Sequence, residues 1–170
     1  PLQYNDALTA QGLATLKGWD GRMEKNSAAA ALYEVWSSNT LKKALTEQVL
    51  APHERSFAKD TNATRMLTVL EKPQGWMSTA ERDQILLASI APAMQWLQDK
   101  LGADANTWTW GDLHQAIFVH PLAGVVDSAT RQKLNVGAGG LGGSWATPMA
   151  ASYGTGNYNL TSGASFRMVV

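Results

Sequence analysis

This 170-residue sequence contains no cysteine, which excludes a disulfide framework and any thiolate nucleophile or thiolate metal ligand. Charge is scarce as well: Asp, Glu, Lys and Arg make up 16% of the chain, where about a quarter is usual. Fourteen acidic and fourteen basic residues cancel. No net positive field remains of the kind that nucleic acid or an anionic membrane surface selects. No apolar run approaches the ~18 residues of a membrane span. Phosphate-loop and nucleophile-elbow signatures are missing too. The glycine cluster 137–143 leads into Ser144-Trp145 instead of Gly-Lys-Ser/Thr, and no Gly-x-Ser-x-Gly occurs.

What the chain does have is tryptophan and glycine, seven and fifteen respectively. Many large rings with little charge imply that part of the surface is covered by other polypeptide. The sequence starts at Pro1 and stops on Phe166-Arg-Met-Val-Val170, an alternating strand-like run with no polar tail. Both ends suggest a processed or cut piece of a longer chain.

Residues 1–106 read as helical. Asn5 or Asp6 caps a first helix with Leu8, Leu13 and Leu16 on its apolar side, and Lys17-Gly18 ends it. Trp19 to Arg22 is a tight turn in which Trp19 folds back as an anchor and Asp20 satisfies the turn. Ser27 opens an alanine-rich helix burying Leu32, Val35 and Trp36, and Ser37 to Thr40 interrupts or kinks it. Leu41, Leu45 and Val49 resume an apolar stripe as far as Pro52. His53, Glu54 and Arg55 are a solvated loop cluster, and a short helix spans Asp60 to Glu71. Ser78 with Glu81 has capping-box spacing and starts a helix to Leu101, kinked or split by Pro92 near Ala88 to Ala91.

Residues 107–170 read as loop and strand. Trp108 and Trp110 share a side if extended, and Ala116 to Val119 is an apolar run ended by Pro121. Five glycines in 137–143 make a loop that admits close backbone approach. Ser152 to Ser162 continues as polar loop, and Gly163 opens a strand to Val170.

Candidate chemistry concentrates at Thr107–Leu122. Asp112, His114 and His120 are a carboxylate and two imidazoles of the types that ligate zinc, but their spacing is not helical. The ordinary alternative has Asp112 capping a short turn and both imidazoles hydrogen-bonded locally. A Ser144, His114 and Asp127 set lacks any supporting motif. Trp108, Trp110, Trp145 and Tyr153 offer an aromatic face, the basis of an alternative reading as a self-contained α+β ligand- or carbohydrate-binding module. Spacing alone shows no catalytic site.

Four stretches carry a resemblance: Leu16–Gly21 before the alanine-rich helix, Trp108-Thr-Trp-Gly-Asp-Leu-His114 closing on His120-Pro-Leu122, the glycine run 137–143, and Gly163–Val170. In this order they resemble the later part of the β-subunit of the penicillin acylase (penicillin amidase) family. The resemblance implies an α+β fold that is a fragment of an αββα N-terminal-nucleophile hydrolase sandwich. It implies a periplasmic or secreted enzyme, matured by self-cleavage into α- and β-subunits, that cleaves penicillin-like or N-acyl homoserine lactone-like amides through an acyl-enzyme. Partners would be the α-subunit, the rest of the β-subunit and the acyl amide substrate, with no nucleic acid and no membrane. Calcium is implied for the whole enzyme only. Pro1 has no side-chain nucleophile, so the family's nucleophile, oxyanion Asn, nearby Arg and calcium ligands would lie upstream. Within 1–170 no catalytic, cofactor-binding or metal residue is assigned, and the expected role of this piece is structural.

Overall fold

In the computed structural model, residues 6–58, 63–154 and 156–164 are described, the side chains of Ala58 and of 137–138 excepted. They fold as mixed helix and small sheets, in two units. The first comprises the described residues up to Trp19 with Leu32–Ala105, and the second comprises Asp20–Ala31 with the described residues from Asn106 onward.

In the first unit, α1 (Ala7–Leu16) starts where Asp6 accepts hydrogen bonds from the Leu8 and Thr9 amides. It ends before Gly18, whose φ of +79° needs a residue without Cβ. Its buried face is narrower than the leucine pattern predicts. Thr9 and Gly12 are the buried residues, and Leu8, Leu13 and Leu16 are half-buried. The cause is close helix packing. A Cβ on Gly12 would collide with Ile90 Cγ2 and lie 3.2 Å from Met94 Cγ. Trp19 does fold back, its ring 5.0 Å from that of Tyr33.

Helix α2 (Ala28–Val35) begins in the second unit, at Ser27, and ends in the first. The hydroxyl-rich stretch after it does not break the helix; it widens to a π-helical turn at Trp36–Leu41. Ser38 Oγ donates to the Glu34 carbonyl at 2.6 Å, the competition expected of these side chains. Helix α3 (Lys42–Val49) follows. His53 to Arg55 lies in exposed turn, and Arg55 enters a 3-10 turn, Arg55–Ala58, while capping α3 through the Glu47 and Leu50 carbonyls. Helix α4 is Ala63–Glu71, and the predicted start at Asp60 lies outside the described residues.

Ser78 and Glu81 form the capping box of α5 (Thr79–Ala88), and α6 runs Ile90–Leu101. The split falls at Ser89, three residues before Pro92, because the proline ring cannot follow a carbonyl at i−4. That break is a docking point. Trp36 Nε1 donates to Ser89 Oγ at 2.8 Å, and Thr40 Oγ1 donates to the Ser89 carbonyl at 2.7 Å. Ile90, Ala93, Met94 and Leu97 of α6 are buried, as are Leu32, Val35, Leu41 and Leu45.

The second unit holds α7 (Trp110–Leu113), β1 (Gln115–Phe118), α8 (Ser128–Leu134), β2 (Val136–Gly140), β3 (Ala151–Tyr153) and β4 (Leu160–Gly163). Strand β1 pairs antiparallel with β2, and β3 with β4, each ladder interrupted once. Two expectations are corrected in part. The glycine run is partly the paired strand β2, and the polar stretch Ser152 to Ser162 is strand at its two ends, β3 and β4, with Gly156 at φ +101° in the connection between them. Alternation there was hidden by small and polar residues, which hold a ladder through backbone groups alone. Gly163 closes β4, and the strand expected beyond it lies outside the described residues from Ser165 on.

Substituting Gly12→Leu overpacks the α1–α6 contact and should destabilise the protein by about 1–3 kcal/mol. Urea unfolding measures this, and an unchanged midpoint would show that α1 is not held at that distance.

Candidate functional site

The densest sequence stretch becomes the centre of the second unit. Thr109 caps α7, its hydroxyl accepting from the Asp112 amide at 3.1 Å. The cap is therefore Thr109, and Asp112, expected to cap this turn, is exposed. The one helical turn places Trp110 and His114 on the same side, four residues apart. Their rings stack at 4.8 Å between centroids with 12° between planes. Tyr153 and Tyr158 meet Trp110 edge-on at 6.0 and 5.6 Å.

Each polar atom of the pair faces inward. Trp110 Nε1 donates to the Gly143 carbonyl at 2.8 Å. His114 Nδ1 lies 2.6 Å from the Tyr158 carbonyl. A carbonyl only accepts, so Nδ1 carries the proton and Nε2 is left as a bare lone pair. His114 is fully buried, and its Nε2 has no protein hydrogen-bond partner. Burial pushes the imidazole pKa below its usual 6.5, and the bond to the Tyr158 carbonyl opposes the shift only in part. The ring is buried, and its neutral form is favoured.

Backbone closes the site from the other side. Gly143 N donates to the Met23 carbonyl and Gly111 N to the Lys25 carbonyl, both at 2.7 Å. Such approach requires glycine. A Cβ on Gly140 would sit 2.8 Å from the Gly111 carbonyl oxygen, and one on Gly142 2.6 Å from that of Met23. A groove of about 730 Å³ runs between Gly21–Asn26 on one wall and Gly140–Gly143 with Thr147–Met149 on the other. Arg22 and Glu24 form an exposed ion pair at 3.1 Å there, and Asp20 accepts from the Arg22 amide at 3.0 Å, holding the turn.

The candidate constellations do not assemble. His120 Nδ1 accepts from the Leu122 amide at 3.1 Å, and His114 turns its Nδ1 to Tyr158. Among the described residues no three acidic or imidazole groups converge as ligands. The imidazole bond expected to be local thus is local at His120, whereas at His114 it spans 44 positions. Asp127 caps α8, both its oxygens taken by Ala129 and Thr130, and Ser144 belongs to a loop knotted by Thr147. The aromatic face is likewise absent as a face. Trp108 and Trp110 are buried, whereas Trp145 is exposed. The Trp110–His114 stack was detectable in the sequence as an i, i+4 aromatic pair; the Tyr158 carbonyl had no sequence signal.

The ring N–H groups of Trp110 and His114 thus both go to backbone carbonyls of a buried junction. The sequence comparisons give the class. The penicillin amidase family profile matches residues 2–170, and the chain belongs to that family. Among curated relatives, the acyl-homoserine lactone acylase QuiP of Pseudomonas putida is 30% identical over 139 residues, 74% of this chain and 17% of that protein. The protein of the same name from Pseudomonas fluorescens is 29% identical over 123 residues, 64% of this chain and 15% of that protein. The chain thus spans about a sixth of the length of the curated relatives it matches.

The site makes two predictions. A folded-state imidazole with a depressed pKa binds fewer protons than the unfolded one, so stability is full above 6.5 and is lost as pH falls below it. Denaturation midpoints at pH 7.5 and 5.5 should differ, and His114→Leu should shrink that difference. Gly143 has φ +81° and its Cβ would also strike the Met149 carbonyl, whereas Gly18 at φ +79° has open space around it. Gly143→Ala should therefore destabilise clearly more than Gly18→Ala, whose cost is the left-handed backbone alone, about 1–2 kcal/mol. Equal losses in thermal melts would contradict the close approach.

Proposed function

We propose that this chain is a structural part of an N-terminal-nucleophile amide hydrolase, the later portion of its β-subunit. The whole enzyme cleaves the acyl amide bond of N-acyl homoserine lactone-like or penicillin-like substrates. The observation that carries the structural role is the inward use of the polar groups in the Trp108–His120 stretch. Trp110 Nε1 and His114 Nδ1 each hold a backbone carbonyl, so neither is presented to a substrate. The family match over residues 2–170 supports the reaction class, and the names of both relatives favour an acyl homoserine lactone as substrate.

In this reading the nucleophile is the first residue of the mature β-subunit. Its hydroxyl or thiol attacks the amide carbonyl with its own α-amino group as base. Backbone N–H groups and an Asn side chain bind the oxyanion. The amine leaves, and water then releases the carboxylic acid. In this reading the described residues contribute no atom to these steps; they hold the α+β framework, a portion of the αββα sandwich, in place. The enzyme is a processed heterodimer, periplasmic or secreted, whose partners are the α-subunit and the rest of the β-subunit. Residues 1–106 form its helical part and 107–170 the part that contributes to the sandwich. Calcium, which the family resemblance implies, needs several converging oxygen ligands. Among the described residues no acidic cluster fits it, and no step is routed through it.

The test is incubation of the full-length gene product with an N-acyl homoserine lactone and, separately, with penicillin. Free homoserine lactone or free penicillin nucleus, together with a companion polypeptide starting in Ser, Thr or Cys by mass spectrometry, is the expected result. A full-length, folded product that hydrolyses neither amide would refute the reading.

A further inference from the structure

The β1–β2 ribbon of the second unit is packed against backbone at one end and exposed at the other. At the packed end Gly140 lies against the Gly111 backbone, and the Leu141 amide donates to the His114 carbonyl at 2.8 Å. At the other end Phe118 and Val136 are direct partners across the ladder, and they are 63% and 64% exposed. Val119 and Leu122 continue the exposed apolar series, and Val125 beyond them is 82% exposed. The ladder is irregular between Ala116 and Phe118, where a bulge re-aims the strand. The segment is fixed in place nonetheless: the His120 amide donates to Asn135 Oδ1 at 2.9 Å, and Arg131 Nε donates to the Ala123 carbonyl at 2.7 Å. It is a held apolar surface.

Three observations say what covers it. From Gln115 to Val126 the sequence has no Asp, Glu, Lys or Arg; the adjoining helix brings one guanidinium, Arg131, and it is spent on the Ala123 and Val126 carbonyls, so the apolar series itself carries no charge to select a charged surface. A two-stranded ribbon needs further strands or a packed layer to be stable, and among the described residues β1 pairs with β2 alone. The matched region is 17% of one relative and 15% of the other, so most of the polypeptide in such a protein lies outside it. We propose that Phe118, Val119, Leu122, Val125 and Val136 dock on an apolar strand supplied by the remainder of the same acylase polypeptide. The ribbon is the joint through which the second unit enters the larger sheet. This rests on the acylase reading above and adds to it the surface by which this segment is held.

The test places a photo-crosslinking phenylalanine analogue at Phe118 of the full-length polypeptide, with Gln84, an exposed position on α5, as control. A crosslink from position 118 to a peptide of the same polypeptide outside residues 1–170, with none from position 84, is expected. Crosslinking to residues 117–136 of a second copy, to added phosphatidylcholine and phosphatidylglycerol vesicles, or to nothing would overturn it. Carbene labelling of the unsubstituted protein covers the case in which the analogue prevents folding. Phe118, Val119 and Val125 should be protected while Gln84 is labelled, and strong labelling of all four overturns the proposal. Amide hydrolysis measured on the same preparation separates the two readings. Hydrolysis without protection rejects only the docking surface, and protection without hydrolysis rejects only the enzyme assignment.

Discussion

A buried indole N–H must find an acceptor, and in this chain Trp110 finds the Gly143 carbonyl. Gly143 is thereby held from both sides, since its own amide is committed to Met23. Its positive φ lets the chain lie against the Met149 backbone, beside which Ser144 bridges Ala150 at the entry to β3. His114 extends the same arrangement by stacking on the indole and carrying a proton to the Tyr158 carbonyl, which fixes the β3–β4 ribbon. One aromatic ring thus locates residues 20–26, the glycine strand and the tyrosine ribbon together. The glycines are the reciprocal requirement, because backbones this close leave no room for a Cβ.

The first unit uses a different device for the same purpose. Pro92 forces a break between two helices, and Ser89 at that break presents a hydroxyl and a carbonyl to Trp36 and Thr40. The π-helical turn puts those two donors side by side, so a locally weak stretch of helix becomes a specific joint. Gly12 then lets α1 approach Ile90 and Met94 without an intervening side chain. In both units an element that looks like a defect in the sequence is a point of close contact.

This economy of polar groups bears on function. The residues that invited a catalytic or metal reading, Asp112, His114, His120, Ser144 and Asp127, are separated, exposed or engaged with backbone. Family membership assigns amide-bond chemistry to the class, and among the described residues none of these constellations assembles. The segment covers about a sixth of its relatives, and it combines low overall charge with an exposed apolar ribbon at Phe118 and Val136.

Local physics alone determined the helix starts at Asp6, Ser27 and Ser78, the stops at Gly18 and Gly102, and the split enforced by Pro92, because caps, glycine and proline act over four or five residues. The family was legible for a related reason: ordered motifs survive in sequence even where their roles do not show. Tertiary structure decided the rest. Nothing in the spacing of Asp20–Ala31 announced that it belongs with the residues from Asn106 onward, nor that the Tyr158 carbonyl would accept the hydrogen bond of His114. Backbone carbonyls are identical at every position, so which one a buried ring chooses is known only once distant segments have met.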